Sequence, residues 1–320
     1  MRTTLACIAL ASIALPAGSG AYARAPGAGV AGSAPHAQSS TVAPDPKAPE
    51  LRKKLQSTLE KLAADLDGVM GYSIVDLTSG ERIEGMPDAV FATASTIKLA
   101  ILYEMFRQAD EGKLRLDEVR AFDRKQAVGG TGVLAQLSAP AMPLRDYATL
   151  MIVLSDNSAT NVMIDAVGMQ NVTARMAALG FAQTKLRRKM MDAEAARRGD
   201  ENVSTPREIA RLLEVCYRGE GLSKESQEAL LAILRKPKST PIHRGIPAGV
   251  PVASKSGTLE GVQADAGIVY LAGRPYVLSV MTTYLKEAAA GENAIASASG
   301  AAFDYFNRLA KSSEYGRTIR

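Results

Sequence analysis

The tetrapeptide Ser95-Thr96-Ile97-Lys98 places a serine hydroxyl and a lysine amine three positions apart. A serine is a weak nucleophile until a neighbouring base takes its proton, and histidine, the usual base, occurs only as His36 and His243. Residues i and i+3 share one face of a helix, so we expect the Ser95 Oγ and Lys98 Nζ atoms to meet. A buried lysine has a lowered pKa, which lets its amine act as a base near neutral pH. The sequence therefore predicts a nucleophilic serine whose base is a lysine.

Two further polar clusters follow, Ser155-Asp156-Asn157 and Lys255-Ser256-Gly257-Thr258. Each of the three motifs has a structural explanation when it is taken alone. A serine can cap a helix, Ser-Asp-Asn suits a turn between helices, and the third cluster is compatible with a strand end. We expect Asp156 to satisfy backbone groups of its turn. Together and in this order, the clusters favour a catalytic set.

The hydrophobic pattern around these motifs indicates the elements that must hold them. Helices are predicted over residues 51–66, 95–109, 144–154, 158–167 and 296–309, and strands over 70–77, 82–84, 252–255, 262–271 and 276–285. A further helix start is predicted at Thr205-Pro206-Arg207-Glu208. Strands at both ends with helices between them predict an α+β fold, an α/β/α sandwich. In it, an antiparallel sheet of about five strands is flanked by terminal helices and carries an inserted all-α lobe over about residues 87–240.

The N-terminal part of the chain predicts export. Residues 1–23 are typical of a secretory signal peptide, with a basic start, a short apolar run and a small-residue cleavage site. The run is too short to span a membrane, and Cys7 precedes most of it, so we do not expect a lipoprotein. Residues 24–48, rich in Ala, Gly, Pro and Ser, predict a flexible linker. A catalytic domain over 49–313 and a tail over 314–320 would follow, in a periplasmic or secreted protein without a transmembrane anchor.

Composition narrows the classes of partner. The net charge of +5 over 320 residues becomes +4 when the signal and its one arginine are removed (5 − 1 = 4), which is too mild to favour nucleic acid. Beyond the signal only Cys216 remains, so no disulfide can form within one mature chain. With one cysteine and one histidine in the folded part, a zinc hydrolase site is not expected. We predict neither a metal nor a cofactor.

The three motifs resemble the S-x-x-K, S-D-N and K-T-G signature of class A β-lactamases and penicillin-binding proteins. Gly129-Gly130-Thr131-Gly132 resembles the glycine-rich segment before the family's second motif, and the similarity covers roughly residues 49–309. The resemblance implies a β-lactamase/transpeptidase-like fold with its active site between the sheet and the helical lobe. It also implies a monomer that takes a β-lactam or a peptidoglycan stem peptide.

The resemblance further implies a role for each polar residue. Ser95 would attack the carbonyl and form an acyl-enzyme, with Lys98 as its base. Ser155 would relay a proton to the leaving nitrogen. Lys255 would supply a fixed positive charge that lowers the pKa of Lys98 and attracts an anionic substrate. The backbone N–H groups of Ser95 and Thr258 would form the oxyanion hole.

Substrate binding is assigned to a second set of side chains. The Asn157 amide would hold Lys98 and the acylamino group of the substrate, while the Ser256 and Thr258 hydroxyls would bind its carboxylate. Class A enzymes usually add an arginine near the third motif, and residues 259–269 contain none. Arg244 is the candidate for that task, or else a structural surface arginine.

The chain departs from the family where class A enzymes carry Glu-x-x-Leu-Asn. Counting from both flanks places the glutamate, which activates the water that releases the acyl group, at Met190 or Met191. Neither methionine can act as a base. We hypothesise that Glu194, or failing that Asp192, has taken over deacylation. The alternative is that both are ordinary loop carboxylates that pair with neighbouring arginines, Arg197 and Arg198.

The sequence thus predicts an exported serine hydrolase of the class A β-lactamase type that opens the β-lactam amide through a Ser95 acyl-enzyme. The alternative is a penicillin-binding D-Ala-D-Ala carboxypeptidase that is acylated by β-lactams but releases them slowly. An esterase or amidase acting on cell-wall material would use the same residues. A binding module that is acylated once and signals is a fourth, non-enzymatic interpretation.

Overall fold

A computed structural model of the chain describes residues 47–313 and 315–319. The predicted signal peptide, with Cys7, and nearly all of the predicted linker lie outside these residues. No helix in the described ranges is both long and apolar enough to cross a membrane. Across the same residues, no group of three or more acidic, histidine or cysteine side chains is placed to hold a metal ion.

The described residues form ten α-helices and nine strands. The helices are α1 (Ala48–Asp65), α2 (Lys98–Asp110), α3 (Leu144–Val153), α4 (Asn157–Val167), α5 (Met169–Ala178), α6 (Ala193–Arg197), α7 (Pro206–Arg218), α8 (Lys224–Arg235), α9 (Pro241–Arg244) and α10 (Ala288–Ala310). The strands are β1 (Val69–Asp76), β2 (Arg82–Gly85), β3 (Phe91–Ala92), β4 (Val119–Ala121), β5 (Ala141–Pro143), β6 (Val203–Ser204), β7 (Val252–Leu259), β8 (Val262–Val269) and β9 (Tyr276–Thr283). A 3₁₀ turn over Ala94–Ile97 leads directly into α2.

Five strands form one sheet in the order β2-β1-β9-β8-β7. Every neighbouring pair in it is antiparallel, which confirms the predicted α+β fold and its five-stranded sheet. The remaining strands make two short pairs, β3 with β6 and β4 with β5, so the lobe that was predicted to be all-α also contains short strands. The sheet combines segments from both ends of the described chain, because β1 and β2 precede the helical region and β7, β8 and β9 follow it.

The third motif lies inside an edge strand rather than at a strand end. The prediction ended this strand at residue 255, whereas the β7–β8 ladder continues to the pair Leu259–Val262. A tight connection at Gly261, where φ is +70°, joins the two strands. The backbone of Lys255-Ser256-Gly257-Thr258 is therefore held in place by the sheet.

Two hydrophobic cores cover opposite faces of the sheet, because successive side chains of a strand point to opposite sides. Helices α1 and α10 pack on one face through residues such as Leu59 and Phe306. The helical lobe packs on the other, and every residue of α2 from Lys98 to Phe106 is buried. A helix that is buried all round is typical of a protein interior. Since Lys98 is its first residue, the helix carries that amine into the core.

Local sequence signals set several helix ends. The predicted start of α7 is confirmed: Thr205 Oγ1 accepts a hydrogen bond from Glu208 N at 3.1 Å, with Pro206 first inside the helix. Helix α10 begins at Ala288, earlier than the predicted residue 296. The Ala288–Ala290 run gives no apolar periodicity from which that start could be read.

Candidate active site

A cavity of about 450 Å³ brings the three motifs together between the edge strand β7 and the helical lobe. Its lining includes Ser95 from the first motif, Ser155 and Asn157 from the second, and Ser256, Gly257 and Thr258 from the third. Met190, Met191 and Asp192 form part of the facing wall. The two motif lysines lie behind this lining, where both are buried.

Ser95 lies in the 3₁₀ turn that precedes α2, and its backbone packs directly against β7. A Cβ atom added to Gly257 would lie 2.6 Å from Ser95 N and 2.7 Å from Thr93 O. No side chain fits at that position, so glycine allows the strand to approach the serine. The preceding residue, Ala94, has a φ of +46°, a conformation that is strained for a residue other than glycine.

Lys98 Nζ makes three hydrogen bonds to the second motif. It donates to Ser155 O at 2.8 Å, to Ser155 Oγ at 3.0 Å and to Asn157 Oδ1 at 3.2 Å. The expected contact with Ser95 Oγ is not among the hydrogen bonds of the described residues. In a 3₁₀ turn the side chains at i and i+3 still lie on one side, so a direct Ser95–Lys98 contact stays a prediction.

Ser155 Oγ lies between two lysines. Lys98 Nζ donates to it at 3.0 Å and Lys255 Nζ at 3.1 Å, and Lys255 Nζ also donates to Ser256 O at 2.6 Å. Ser155 has a φ of +52°, and Thr131 Oγ1 bonds its carbonyl oxygen at 2.7 Å. The hydroxyl of the second motif thus connects the first motif to the third.

The two lysines are poorly suited to carry charge at once. Burial, followed by the nearby charge of Lys255, lowers the pKa of Lys98 well below its ordinary value, while Asp156 acts in the opposite direction. Burial lowers the pKa of Lys255 to about 7, against the opposing influence of Asp265. Because a buried ammonium loses its hydration and a neighbouring ammonium repels it, Lys98 is favoured as a neutral amine.

Asp156 is structural, as predicted. It caps α4 by accepting from Ala159 N at 2.8 Å, and its other oxygen accepts from Val133 N at 2.7 Å and Leu134 N at 2.8 Å. A Cβ atom on Gly132, where φ is +115°, would lie 2.2 Å from the carboxylate. The glycine-rich segment therefore packs onto this carboxylate and supports the second motif.

Asn157 uses both ends of its amide. Its Oδ1 accepts from Lys98 Nζ, and its Nδ2 donates to Gly129 O at 3.1 Å. The Asn157 backbone N–H donates to Thr131 O at 3.0 Å. These contacts fix the amide at the cavity wall, beside the Lys98 amine.

Methionines stand where the family glutamate was expected. Asn161 holds the Met190 backbone from both sides: its Oδ1 accepts from Met190 N at 2.8 Å, and its Nδ2 donates to Met190 O at 3.2 Å. The buried Met190 and the 54% exposed Met191 both line the cavity. Asn161 was not singled out from the sequence, although it lies only four residues after Asn157 of the second motif.

The structure contradicts the assignment of Glu194 to the site. Its side chain is 79% exposed, pairs with Arg198 at 3.2 Å, and is absent from the cavity lining. The physical reason is that Asp192 caps a short helix, α6, by accepting from Ala195 N at 2.9 Å. Glu194 lies in the first turn of that helix and faces solvent. Asp192 itself lines the cavity.

Arg244 also lies away from the cavity lining. In α9 it faces α10, with its guanidinium 3.7 Å from the Glu292 carboxylate and 3.4 Å from Asn293 Oδ1. Of the two explanations left open by the sequence, the structure supports the surface arginine. The position of α9 decides this, because α9 packs with α10 and its Ile242 belongs to the core on that face of the sheet.

The residues that hold the loop over the cavity could not be recognised in the sequence. Asn202 accepts from Arg187 N at 2.8 Å and Arg188 N at 3.1 Å, and its carbonyl oxygen accepts from Thr93 N at 2.9 Å. Arg188 pairs with Glu201 at 2.9 Å. Asn202 thereby connects the loop that carries Met190 and Met191 to the segment that leads into Ser95. No motif in the sequence signals these contacts.

Known proteins resemble this chain over most of its length. The β-lactamase of Amycolatopsis lactamdurans is 29% identical over 247 residues, covering 75% of this chain and 81% of that protein. A β-lactamase from Sphaerobacter thermophilus superposes with a TM-score of 0.73 at 31% identity, covering 80% of this chain and 97% of the other. PBP-A superposes with a TM-score of 0.74 at 28% identity, over 80% and 97% of the two chains. The model of the β-lactamase enzyme family matches residues 52–306, and the chain belongs to that family of class A-type serine hydrolases.

Proposed function

We propose that this protein is an exported serine hydrolase of the class A β-lactamase type, which opens the β-lactam amide through an acyl-enzyme on Ser95. The observation that carries the proposal is the Ser155 hydroxyl, held between the buried amines of Lys98 and Lys255 beside a cavity that contains Ser95. This arrangement supplies a base, a proton relay and a positive charge to one nucleophile.

Acylation then proceeds in two steps, attack by Ser95 and cleavage of the carbon–nitrogen bond. Lys98, as a neutral amine, takes the proton of Ser95 Oγ while that oxygen attacks the carbonyl carbon. The backbone N–H groups of Ser95 and Thr258 stabilise the resulting oxyanion, a role supported by the close approach of β7 at Gly257. As the carbon–nitrogen bond breaks, Ser155 gives its proton to the leaving nitrogen and regains one from Lys98.

The residues of the cavity wall are less well suited to releasing the acyl group than to forming it. Met190 and Met191 offer no base, Asp192 Oδ1 is engaged in capping α6, and Glu201 is paired with Arg188. These observations favour the second candidate function, a D-Ala-D-Ala carboxypeptidase that β-lactams acylate and that recovers slowly. The similarity to PBP-A is consistent with that alternative, and a mutant of PBP-A has been solved as its acyl-enzyme complex with penicillin G.

One experiment separates the two functions. The protein is incubated with a chromogenic cephalosporin and, separately, with a peptide ending in D-Ala-D-Ala, while hydrolysis and intact mass are followed. Steady cephalosporin hydrolysis establishes a β-lactamase. A persistent adduct together with release of D-alanine establishes the carboxypeptidase. Folded protein that gives neither hydrolysis nor an adduct would contradict both.

Replacing Met190 by glutamate should accelerate deacylation. The new carboxylate would stand in the cavity on a backbone that Asn161 already fixes, where it can take a proton from the attacking water. General base catalysis contributes about 10²- to 10⁴-fold, so we expect at least about a tenfold faster loss of a penicillin G adduct by intact mass. Met190→Gln, which has the same shape without a base, is the control. Equal release by both variants would show that the position cannot activate water.

Acylation by an anionic β-lactam should decline as the pH rises through about 7, because burial lowers the pKa of Lys255 to about 7. A lysine is protonated below its pKa, so above that pH Lys255 loses the charge that attracts the carboxylate of the substrate. The measurement is the second-order acylation rate for penicillin G between pH 5 and 9. The methyl ester of penicillin G, which has no carboxylate, should lack this decline. An identical profile for both compounds would remove Lys255 from carboxylate recognition.

We also propose that residues 1–23 are removed on export and that the mature protein is a periplasmic or secreted monomer. The order of charged, apolar and small residues at the N-terminus supports cleavage and export. N-terminal sequencing of protein from fractionated cells tests it. A chain that retains Met1 and stays in the cytoplasm would overturn it.

A further inference from the structure

Gln263 on β8 is buried directly behind Thr258, which lines the cavity. The two are cross-strand partners in the β7–β8 ladder, so their side chains leave the same face of the sheet. Thr258 Oγ1 donates to Gln263 Oε1 at 2.9 Å. Gln263 is only 2% exposed, and its Nε2 has no hydrogen-bond partner among the described residues.

This hydrogen-bond direction does not suit a substrate carboxylate. A hydroxyl has one hydrogen, and Thr258 gives it to Gln263, so the oxygen presents only lone pairs to the cavity. A carboxylate also presents only lone pairs. The unpaired N–H group of Gln263 is unfavourable as well, because buried donors are nearly always hydrogen-bonded.

We propose that Gln263 is a positioning residue for substrate binding: with its carboxamide turned over, Nε2 donates to Thr258 Oγ1 and frees the hydroxyl hydrogen for the carboxylate of the substrate. The turn exchanges an oxygen and a nitrogen of similar size within the same buried space. It pairs the donor that was without a partner. The inference rests on the proposed function, since β-lactams and peptides ending in D-Ala both carry the carboxylate.

The substrate carboxylate is expected to bind the Ser256 and Thr258 hydroxyls and Lys255, because two arginines are engaged elsewhere. Arg188 lines the cavity but is held by Glu201, and Arg244 faces α10. Gln263 is well placed to act on Thr258 because its own backbone is fixed, with Gln263 O accepting from Thr282 Oγ1 at 2.8 Å. Its side chain thus determines which way the Thr258 hydroxyl donates.

Two substitutions at residue 263 test the inference through the half-saturation concentration and the limiting rate of acylation by penicillin G. Gln263→Glu can only accept when ionised, so it keeps the Thr258 hydrogen away from the cavity. Because hydrogen bonds to charged groups are among the stronger ones, the half-saturation concentration should rise about 10- to 100-fold, with the limiting rate within about threefold. Gln263→Met, similar in length and without a donor or an acceptor, removes the orienting hydrogen bond without capturing the Thr258 hydrogen, so it should weaken penicillin G binding by only about two- to fivefold, the contribution of one neutral hydrogen bond. The methyl ester should be nearly indifferent to both changes.

Combining Gln263→Glu with Thr258→Val separates the effect of the Thr258 hydroxyl from the effect of the added negative charge. Thr258→Val keeps the backbone N–H and should itself weaken penicillin G binding about tenfold, a result that tests the inference even if Gln263→Glu does not fold. In that background Gln263→Glu should add nothing. The inference would be overturned if Gln263→Glu weakened penicillin G binding equally in the Thr258→Val background. It would also be overturned if Gln263→Met weakened binding as much as Gln263→Glu does, or if Thr258→Val had no effect. Wild-type protein that gives neither hydrolysis nor an adduct would refute the proposed function, whereas wild-type acylation with an unaffected Gln263→Glu refutes the positioning role alone.

Discussion

Ser95→Ala is expected to abolish acylation, lowering its rate by about 10⁴-fold or more, because alanine lacks the attacking oxygen. Intact mass after incubation with penicillin G should show no adduct, and chromogenic cephalosporin hydrolysis should fall to background. The fold should persist, since Ser95 Oγ makes no hydrogen bond within the described residues. The Lys98–Ser155–Lys255 contacts do not involve it. We therefore expect a melting temperature within a few degrees of the wild type.

A serine outside the cavity provides the control for this variant. Ser239 is exposed and does not line the site, so Ser239→Ala should acylate at the wild-type rate. An adduct of full yield on Ser95→Ala would show that another residue is the nucleophile. Peptide mapping of that adduct would identify the residue.

Lys98→Met is expected to slow acylation by about 10²- to 10⁴-fold, the usual contribution of a general base. Methionine is similar in length to lysine but cannot take the proton of Ser95. The loss should come mainly from the limiting rate, because Thr258, Ser256 and Lys255 still bind the substrate. Structural damage should be modest: Ser155 O keeps its bond from Thr131 Oγ1, and one desolvated amine is removed.

The pH dependence separates the chemical role of Lys98 from a structural one. In the wild type, the acid limb of the acylation profile should follow deprotonation of Lys98, whose pKa lies well below that of an ordinary lysine. Lys98→Met should lose this limb and acylate slowly, keeping only the decline above about pH 7 that Lys255 causes with an anionic substrate. The exposed Lys113, which pairs with Glu111, offers the control Lys113→Met, which should be unchanged. Acylation of Lys98→Met within about threefold of the wild type would exclude the lysine as the base, since a general base contributes far more.

Features that depend on short stretches of chain were predictable. The start of α7 depends on Thr205, Pro206 and Glu208, all within one turn. The same holds for Asp156, which caps α4 from the adjoining position. Strand boundaries were less accurate: β7 continues to Leu259 because its pairing with β8 sustains it, and no residue of β7 encodes that partner on its own.

Features that depend on direction in space were not predictable. Counting along the chain put Glu194 beside the expected water. In the structure Glu194 lies in the first turn of α6 and faces solvent, because successive residues of a helix point in different directions around its axis. The same limit applies to Arg244, which is close to the third motif in sequence but packs against α10. Gln263 carried no signal at all, since only the β7–β8 register places it behind Thr258.

By itself, the sequence identified the candidate residues of the three motifs, beginning with Ser95-x-x-Lys98, because the chemistry proposed for them requires those residue types, and it predicted the α+β fold through its pattern of apolar residues. Only the tertiary structure decided how they meet. Lys98 reaches Ser155 across 57 residues and Lys255 reaches it across 100, and burial of both amines, which gives them lowered pKa values, exists only once the lobe closes on the sheet. The physical reason is that a residue type specifies what a group can do, whereas desolvation and hydrogen bonding depend on what surrounds that group in three dimensions.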